Sequence, residues 1–183
     1  MRILGLSFGF HDAGACMLQD STIEFAGHSE RYSKEKNDPW INHELIGAAI
    51  EGGKPDVIVL HEKAWIKKLR NIYGRNWYGL KEPTQRKWIK KFYPELKDIP
   101  IKDYMHHETH AAAGVLSSDF DECAVMVIDA IGEFDTATIW QWKDGQLKRM
   151  HTTSYPSSLG LFYSAVTHHV GLKPMEDEYI LMG

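Results

Sequence analysis

The 183-residue chain is 43% hydrophobic and 25% charged, with a net charge of −4. That suits one globular domain, or one domain and part of another, and excludes a disordered, collagen-like or coiled-coil chain. No apolar run approaches the ~18–20 residues of a membrane span. Residues 1–5 run into a strand-like pattern rather than a signal peptide, so no membrane is expected among its partners and the cytoplasm is the simplest location. Cys16 and Cys123 lie far apart in apolar segments and read as buried free thiols rather than a disulfide.

Residues 3–8, 13–19 and 22–28 read as a three-strand meander, with Gly9 and Gly14 bracketing the first turn and Asp20-Ser21 making the second. Residues 43–51 form a helix closed by Gly52-Gly53, and 56–60 a further strand. Helices fill 62–73 and 84–93. Another covers 103–117, with Asp103 as its N-cap. A buried strand at 123–128 precedes a hairpin, 136–142 and 147–153, turning at Asp144-Gly145. Ser157-Ser158 caps a last helix that reaches about Val170 and ends at Gly171 and Pro174.

The segment 3–18 can be laid over 125–140, each an apolar strand, a Gly-containing polar turn and a second strand; Ser7 then faces Asp129, and Ala15 faces Ala137. This suggests a duplicated architecture whose two turns face a cleft. One lobe would span 1–120, and a second, incomplete one 121–183. The sequence stops while the second lobe is still being built, which reads as a piece of a larger enzyme or one half of a split one.

Charge is uneven. Residues 63–102 hold 12 Lys/Arg against 3 Asp/Glu and carry Trp65, Tyr73, Trp77, Tyr78, Trp88, Phe92 and Tyr93. Basic residues among aromatics can bind nucleic acid. The preferred reading is an amphipathic helical pair with an apolar inner face, since Trp65, Leu69 and Ile72, and Trp88 and Phe92, stand at helical spacing. A basic face toward an anionic substrate or a partner domain is the remaining option.

Three of ten histidines lie in His106-His107-Glu108-Thr109-His110. On a helix His106 and His110 project from one face, a geometry that holds a divalent metal. The alternative is a polar helix face. Glu108 does not follow the first His directly, so no metalloprotease is implied. Asp129 ends an apolar strand, where ligand carboxylates often sit, and two His with one Asp leave coordination positions open, as Fe(II) chemistry needs. His107 points elsewhere and reads as a supporting residue. His11, in the first turn, suits a general base near neutral pH, or else is a surface loop histidine. The matching turn holds Gly132 and Glu133, and its backbone N–H groups could cradle phosphate, although no Gly-Lys-Ser/Thr follows. Lys36 belongs to a charge run that is either simply solvated or a clamp for phosphate or a carbamoyl group.

Taken together, His11-Asp12-Ala13-Gly14-Ala15-Cys16, Ser29-Glu30-Arg31 with Lys36-Asn37-Asp38, His106-His107-Glu108-Thr109-His110-Ala111, Val127-Ile128-Asp129-Ala130-Ile131-Gly132-Glu133, Tyr155-Pro156-Ser157-Ser158-Leu159-Gly160 and Glu178-Tyr179 with Met182-Gly183 stand in one order. In that order they resemble the N-terminal part of the O-carbamoyltransferases of nodulation-factor and antibiotic biosynthesis. The resemblance implies an α/β, ribonuclease H-like fold of the sugar kinase–actin superfold. In the family a C-terminal YrdC-type domain, absent from these residues, makes carbamoyl adenylate from ATP and carbamoyl phosphate, with Mg2+ expected there. The N-terminal domain binds that intermediate at a metal, usually iron, and passes the carbamoyl group to a hydroxyl of a small molecule or sugar. His106, His110 and Asp129 match the metal ligands, with a further carboxylate ligand beyond residue 183. His11 matches the base, Lys36 a residue near the transferred group, and Ser158 and Gly160 the region that contacts the nucleotide. Asn37 stands where the family commonly has His. The expected function is therefore the acceptor-transfer part of an ATP-dependent carbamoyltransferase, inactive without its C-terminal half or a separately encoded partner chain. A nucleic-acid-modifying relative using 63–102 and a non-catalytic subunit of a split enzyme are the alternatives.

Overall fold

A computed structural model describes residues 1–183. It is a mixed α/β protein whose packing falls into two compact units, Met1–Tyr104 and Met105–Gly183.

The first unit is built on β1 (Arg2–Ser7), β2 (Gly14–Gln19) and β3 (Thr22–His28), an antiparallel meander. Its turns demand unusual backbone: Gly9 and Asp20 have φ of 93° and 53°. A short helix, α1 (Glu30–Ser33), and α2 (His43–Ile50) lead to β4 (Val57–Leu60), which lies parallel to β1. Asn42 caps α2 by accepting the Leu45 N–H at 2.8 Å, and Leu45, Ile46 and Ala49 go inward. Three further helices, α3 (Ala64–Tyr73), α4 (Trp77–Lys81) and α5 (Gln85–Phe92), precede β5 (Ile101–Asp103), which is parallel to β4. The sheet order is β3-β2-β1-β4-β5. Its buried centre is Leu4, Leu6, Met17, Ile58 and Leu60.

Two expectations fail here. Asp103 does not cap a helix. It ends β5, and its carboxylate takes the Arg86 guanidinium at 2.9–3.0 Å. A three-residue parallel strand has no local signature, because its partner β4 lies some forty residues earlier in the chain. Nor does α3 form a covered helical pair. Trp65, Leu69, Ile72 and Tyr73 are each half or more exposed, and only Asn71 of that helix is buried.

The second unit begins with α6 (His106–Leu116), followed by β6 (Cys123–Ile128), β7 (Asp135–Lys143) and β8 (Gln146–Ser154), an antiparallel sheet of order β6-β7-β8. Asp144 and Gly145, both at positive φ, close the β7–β8 hairpin. Then come α7 (Leu159–His169) and α8 (Glu178–Met182). The unit starts one helix ahead of residue 120, because Ala111 and Val115 of α6 are buried and Ala111 clusters with Val127 and Trp140 of the following strands.

The two sheets repeat one pattern. Leu6 pairs with Ala15 in β1–β2, and Ile128 with Ala137 in β6–β7. The sequence offset that carries Leu6 to Ile128 also carries Ala15 to Ala137. It further carries the register shift between Met17 and Leu18 in β2–β3 onto the one between Ile139 and Trp140 in β7–β8. Shared register and a shared bulge position are specific, since a one-residue slip would turn every side chain to the other face.

Candidate functional site

The second unit brings His106, His110 and Asp129 to one point. The first two lie one turn apart on α6, and Asp129 follows β6 directly. His106 Nε2 is 2.8 Å from Asp129 Oδ2 and 3.0 Å from His110 Nε2; His110 Nε2 is 3.9 Å from the same oxygen. A circle through three atoms so spaced has a radius of roughly 2.0 Å, against bonds of about 2.0–2.2 Å from a zinc-sized divalent cation to imidazole nitrogen and carboxylate oxygen. The three donors are therefore close enough together to share one cation. No other group of three or more His, Cys, Asp or Glu donors is so gathered.

The electrostatics follow from that crowding. Hydrogen bonding by His106 holds the Asp129 carboxyl down at about 2, against the opposing effect of burial. Burial, then the neighbouring His106, pushes the His110 imidazole below its ordinary value, toward the neutral form that a metal needs.

Several backbone devices hold these donors. Asp129 Oδ1 accepts the Ala130 N–H at 2.7 Å, which leaves Oδ2 to the imidazoles. The Asp129 N–H donates to Thr136 O at 2.9 Å. Met105, at the N-cap position of α6, makes no side-chain cap. Instead the buried Glu133 carboxylate accepts the His106 N–H at 3.1 and 3.3 Å. Beneath this turn His107, fully buried, pairs through Nδ1 with Thr138 Oγ1 at 3.0 Å, and Trp140 Nε1 donates to the same oxygen at 2.8 Å. Burial lowers the His107 pKa as well.

Four of the residues expected at a phosphate or nucleotide are engaged inside this unit. The Gly132 N–H donates to Asp135 O at 2.8 Å, and a Cβ on Gly132 would lie 3.1 Å from atoms of His106 and His107. Glu133 is the cap just described. Ser158 caps α7 by accepting the Leu161 N–H at 3.0 Å, and it donates to Ala130 O at 2.7 Å. Gly160 lies against the Asp129–Ala130 backbone. The link between Glu133 and α6 spans 27 residues and has no local sequence signal.

In the first unit, His11 is exposed on the β1–β2 turn, and its Nδ1 lies 2.8 Å from the Asp12 carboxylate. If Nδ1 carries the proton given to Asp12, Nε2 presents a lone pair. Lys36 lines an open basin of about 590 Å³ with Asp12, His28, Glu30, Arg31 and Asn37.

A family model described as carbamoyltransferase N-terminus matches residues 57–183. The chain belongs to that carbamoyltransferase family. Among its relatives, the uncharacterized protein sll1178 of Synechocystis is 34% identical, over all of this chain and 34% of that protein. The uncharacterized protein MJ1051 of Methanocaldococcus jannaschii is 28% identical over 96% of the chain and 31% of its own length. Nodulation protein NolNO of Sinorhizobium fredii is 23% identical over 94% of the chain and 27% of its own length. The chain thus spans about a third of the length of the curated relatives it matches. No helix is long and apolar enough to cross a membrane.

Proposed function

We propose that this chain is the acceptor-transfer part of a cytoplasmic, ATP-dependent O-carbamoyltransferase, moving a carbamoyl group from carbamoyl adenylate to a hydroxyl of a small molecule or sugar. The observation that carries the reading is the convergence of His106, His110 and Asp129 in a chain of the carbamoyltransferase family. Those three residues would hold a divalent cation, Fe(II) by preference, which would act as a Lewis acid on the oxygens of the donor. His11, oriented by Asp12, accepts the proton of the acceptor hydroxyl as its oxygen bonds to the carbamoyl carbon and the bond from that carbon to the phosphate oxygen breaks, releasing AMP. Lys36 and Arg31, which share their basin with the carboxylates of Asp12 and Glu30, would be the groups there to meet the phosphate of the donor. The repeated register and bulge of the two sheets, with the order β3-β2-β1-β4-β5, support a ribonuclease H-like fold of duplicated lobes.

The test is to supply the remaining two thirds of such a protein, in one chain or as a partner, with ATP, carbamoyl phosphate and candidate acceptors. Carbamoylated product by mass spectrometry, lost in His11→Ala, is the expected result; undiminished product from His11→Ala contradicts the role of His11. A second reading, nucleic-acid binding by 63–102, draws on the exposure of Trp65, Tyr73, Trp77 and Tyr78 among that segment's basic residues. It requires tRNA retention at low salt that falls steeply as salt rises, and no retention removes it.

A further inference from the structure

We infer that Gly160 and Ser158 are positioning residues for the metal centre, acting on the Asp129 carboxylate through the backbone of Ala130. The inference rests on the metal reading of His106, His110 and Asp129 and goes beyond it by assigning the first turn of α7 a role in that centre.

The geometry forms a closed chain. The Asp129 carboxylate is oriented by one backbone donor, the Ala130 N–H, which holds Oδ1 at 2.7 Å and turns Oδ2 toward His106. The Ala130 nitrogen is also the atom nearest to where a side chain at position 160 would begin. A Cβ on Gly160 would lie 2.5 Å from it, 2.6 Å from the Ala130 Cα and 2.7 Å from the Asp129 carbonyl carbon. These are backbone atoms, so no side chain can swing away to make room. Two residues earlier, at Ser158, the approach is fastened. The Ser158 hydroxyl donates to Ala130 O at 2.7 Å, with a longer branch to Asp129 O at 3.3 Å, and accepts the Leu161 N–H that starts the helix. Ser157 O is held in turn by the buried Thr136 hydroxyl at 2.5 Å, and Thr136 O accepts the Asp129 N–H at 2.9 Å. Asp129 is thus tied at its backbone N–H, its backbone C=O and its Oδ1. Two of those ties depend on α7 beginning with a hydroxyl at 158 and no side chain at 160.

A Cβ at 160 must push Ala130 away, break the Ala130 N–H bond to Oδ1 and let the carboxylate rotate off the shared point. Loss of a hydrogen bond that orients a ligand lowers metal affinity by about 10–100-fold.

The experiment uses the full chain and Co2+, whose visible absorption reports the number and geometry of its ligands. Gly160→Ala, Ser158→Ala and Ser158→Thr are titrated beside the wild type, and the Ala130 amide is followed by NMR in the metal-free proteins. Gly160→Ala is expected to weaken Co2+ binding at least tenfold, change its absorption bands and move the Ala130 amide resonance upfield as the bond to Oδ1 is lost. Ser158→Ala shifts the same readouts in the same direction by less, and Ser158→Thr, which keeps the hydroxyl, restores them; this pair decides the matter if Gly160→Ala does not fold. Wild-type affinity, bands and amide shift in Gly160→Ala, or in Ser158→Ala, overturn the inference. A wild-type chain that takes up no Co2+ counts against the metal reading instead, and the Ala130 amide comparison still decides whether α7 sets the carboxylate.

Discussion

Replacing Glu133 tests how the metal-facing helix is held. Glu133 is 2% exposed, and both carboxylate oxygens lie within 3.3 Å of the His106 nitrogen, whose N–H is the first of α6. A hydrogen bond to a charged group contributes about 1.5–3 kcal/mol, and a partly buried anion at a helix N-terminus up to about 2 kcal/mol. The two figures describe overlapping parts of one interaction, so Glu133→Ala should cost about 2–3 kcal/mol rather than their sum. For a chain of this size each kcal/mol lowers Tm by about 2–4 °C, which predicts a fall of about 5–10 °C. Glu133→Gln keeps the shape and an acceptor oxygen but not the charge, and should fall about half as far. The assay is thermal unfolding by circular dichroism of the metal-free chain, with urea unfolding in parallel. A loss under about 1 °C for Glu133→Ala would refute the capping role and with it the argument that this turn fixes the first histidine of the cluster.

Other consequences follow from the same unit. In the metal-free protein the Asp129 carboxyl titrates at about 2, below an unfolded value of about 3.9. Its stabilisation is therefore complete above about pH 4 and is lost as the pH falls toward 2. Asp129→Asn should flatten that stretch of the stability profile by about 2 kcal/mol, as urea unfolding at pH 2–5 will show. Thr138→Val removes the hydroxyl shared by His107 Nδ1 and Trp140 Nε1; leaving two buried polar groups without it should cost about 2–4 kcal/mol, read as a lower urea midpoint. His11→Ala, on an exposed turn, should leave Tm within about 1 °C of wild type while abolishing transfer in the complete enzyme.

What the amino-acid sequence revealed, and what it hid, divides by range. The meander, the hairpin at Asp144-Gly145 and the Ser158 cap depend on neighbours within a few residues, and these elements form close to where pattern and turn chemistry placed them. The overlay of 3–18 on 125–140 carried more than its few identities suggested, because it matches strand register. Helical spacing placed His106 and His110 on one face, and the strand end placed Asp129, and the three now meet. What stayed hidden is long-range. β5 exists only because β4 offers it an edge, and the cap of α6 arrives from Glu133. The close packing of Gly160 on the Ala130 backbone is of the same kind, since nothing in the sequence around it announces a partner thirty residues earlier. The basic, aromatic segment misled for a different reason. Helical spacing shows that α3 has an apolar face and is silent on what would cover it.

The most direct measurement is an anaerobic Co2+ titration of the full chain at pH 8, followed by visible absorption, in wild type, His106→Ala, His110→Ala and Asp129→Asn. One saturable equivalent in the wild type, lost in each variant while far-ultraviolet circular dichroism is unchanged, is the predicted result. A variant lacking His110 or the Asp129 carboxylate that still binds one equivalent with wild-type affinity would contradict it.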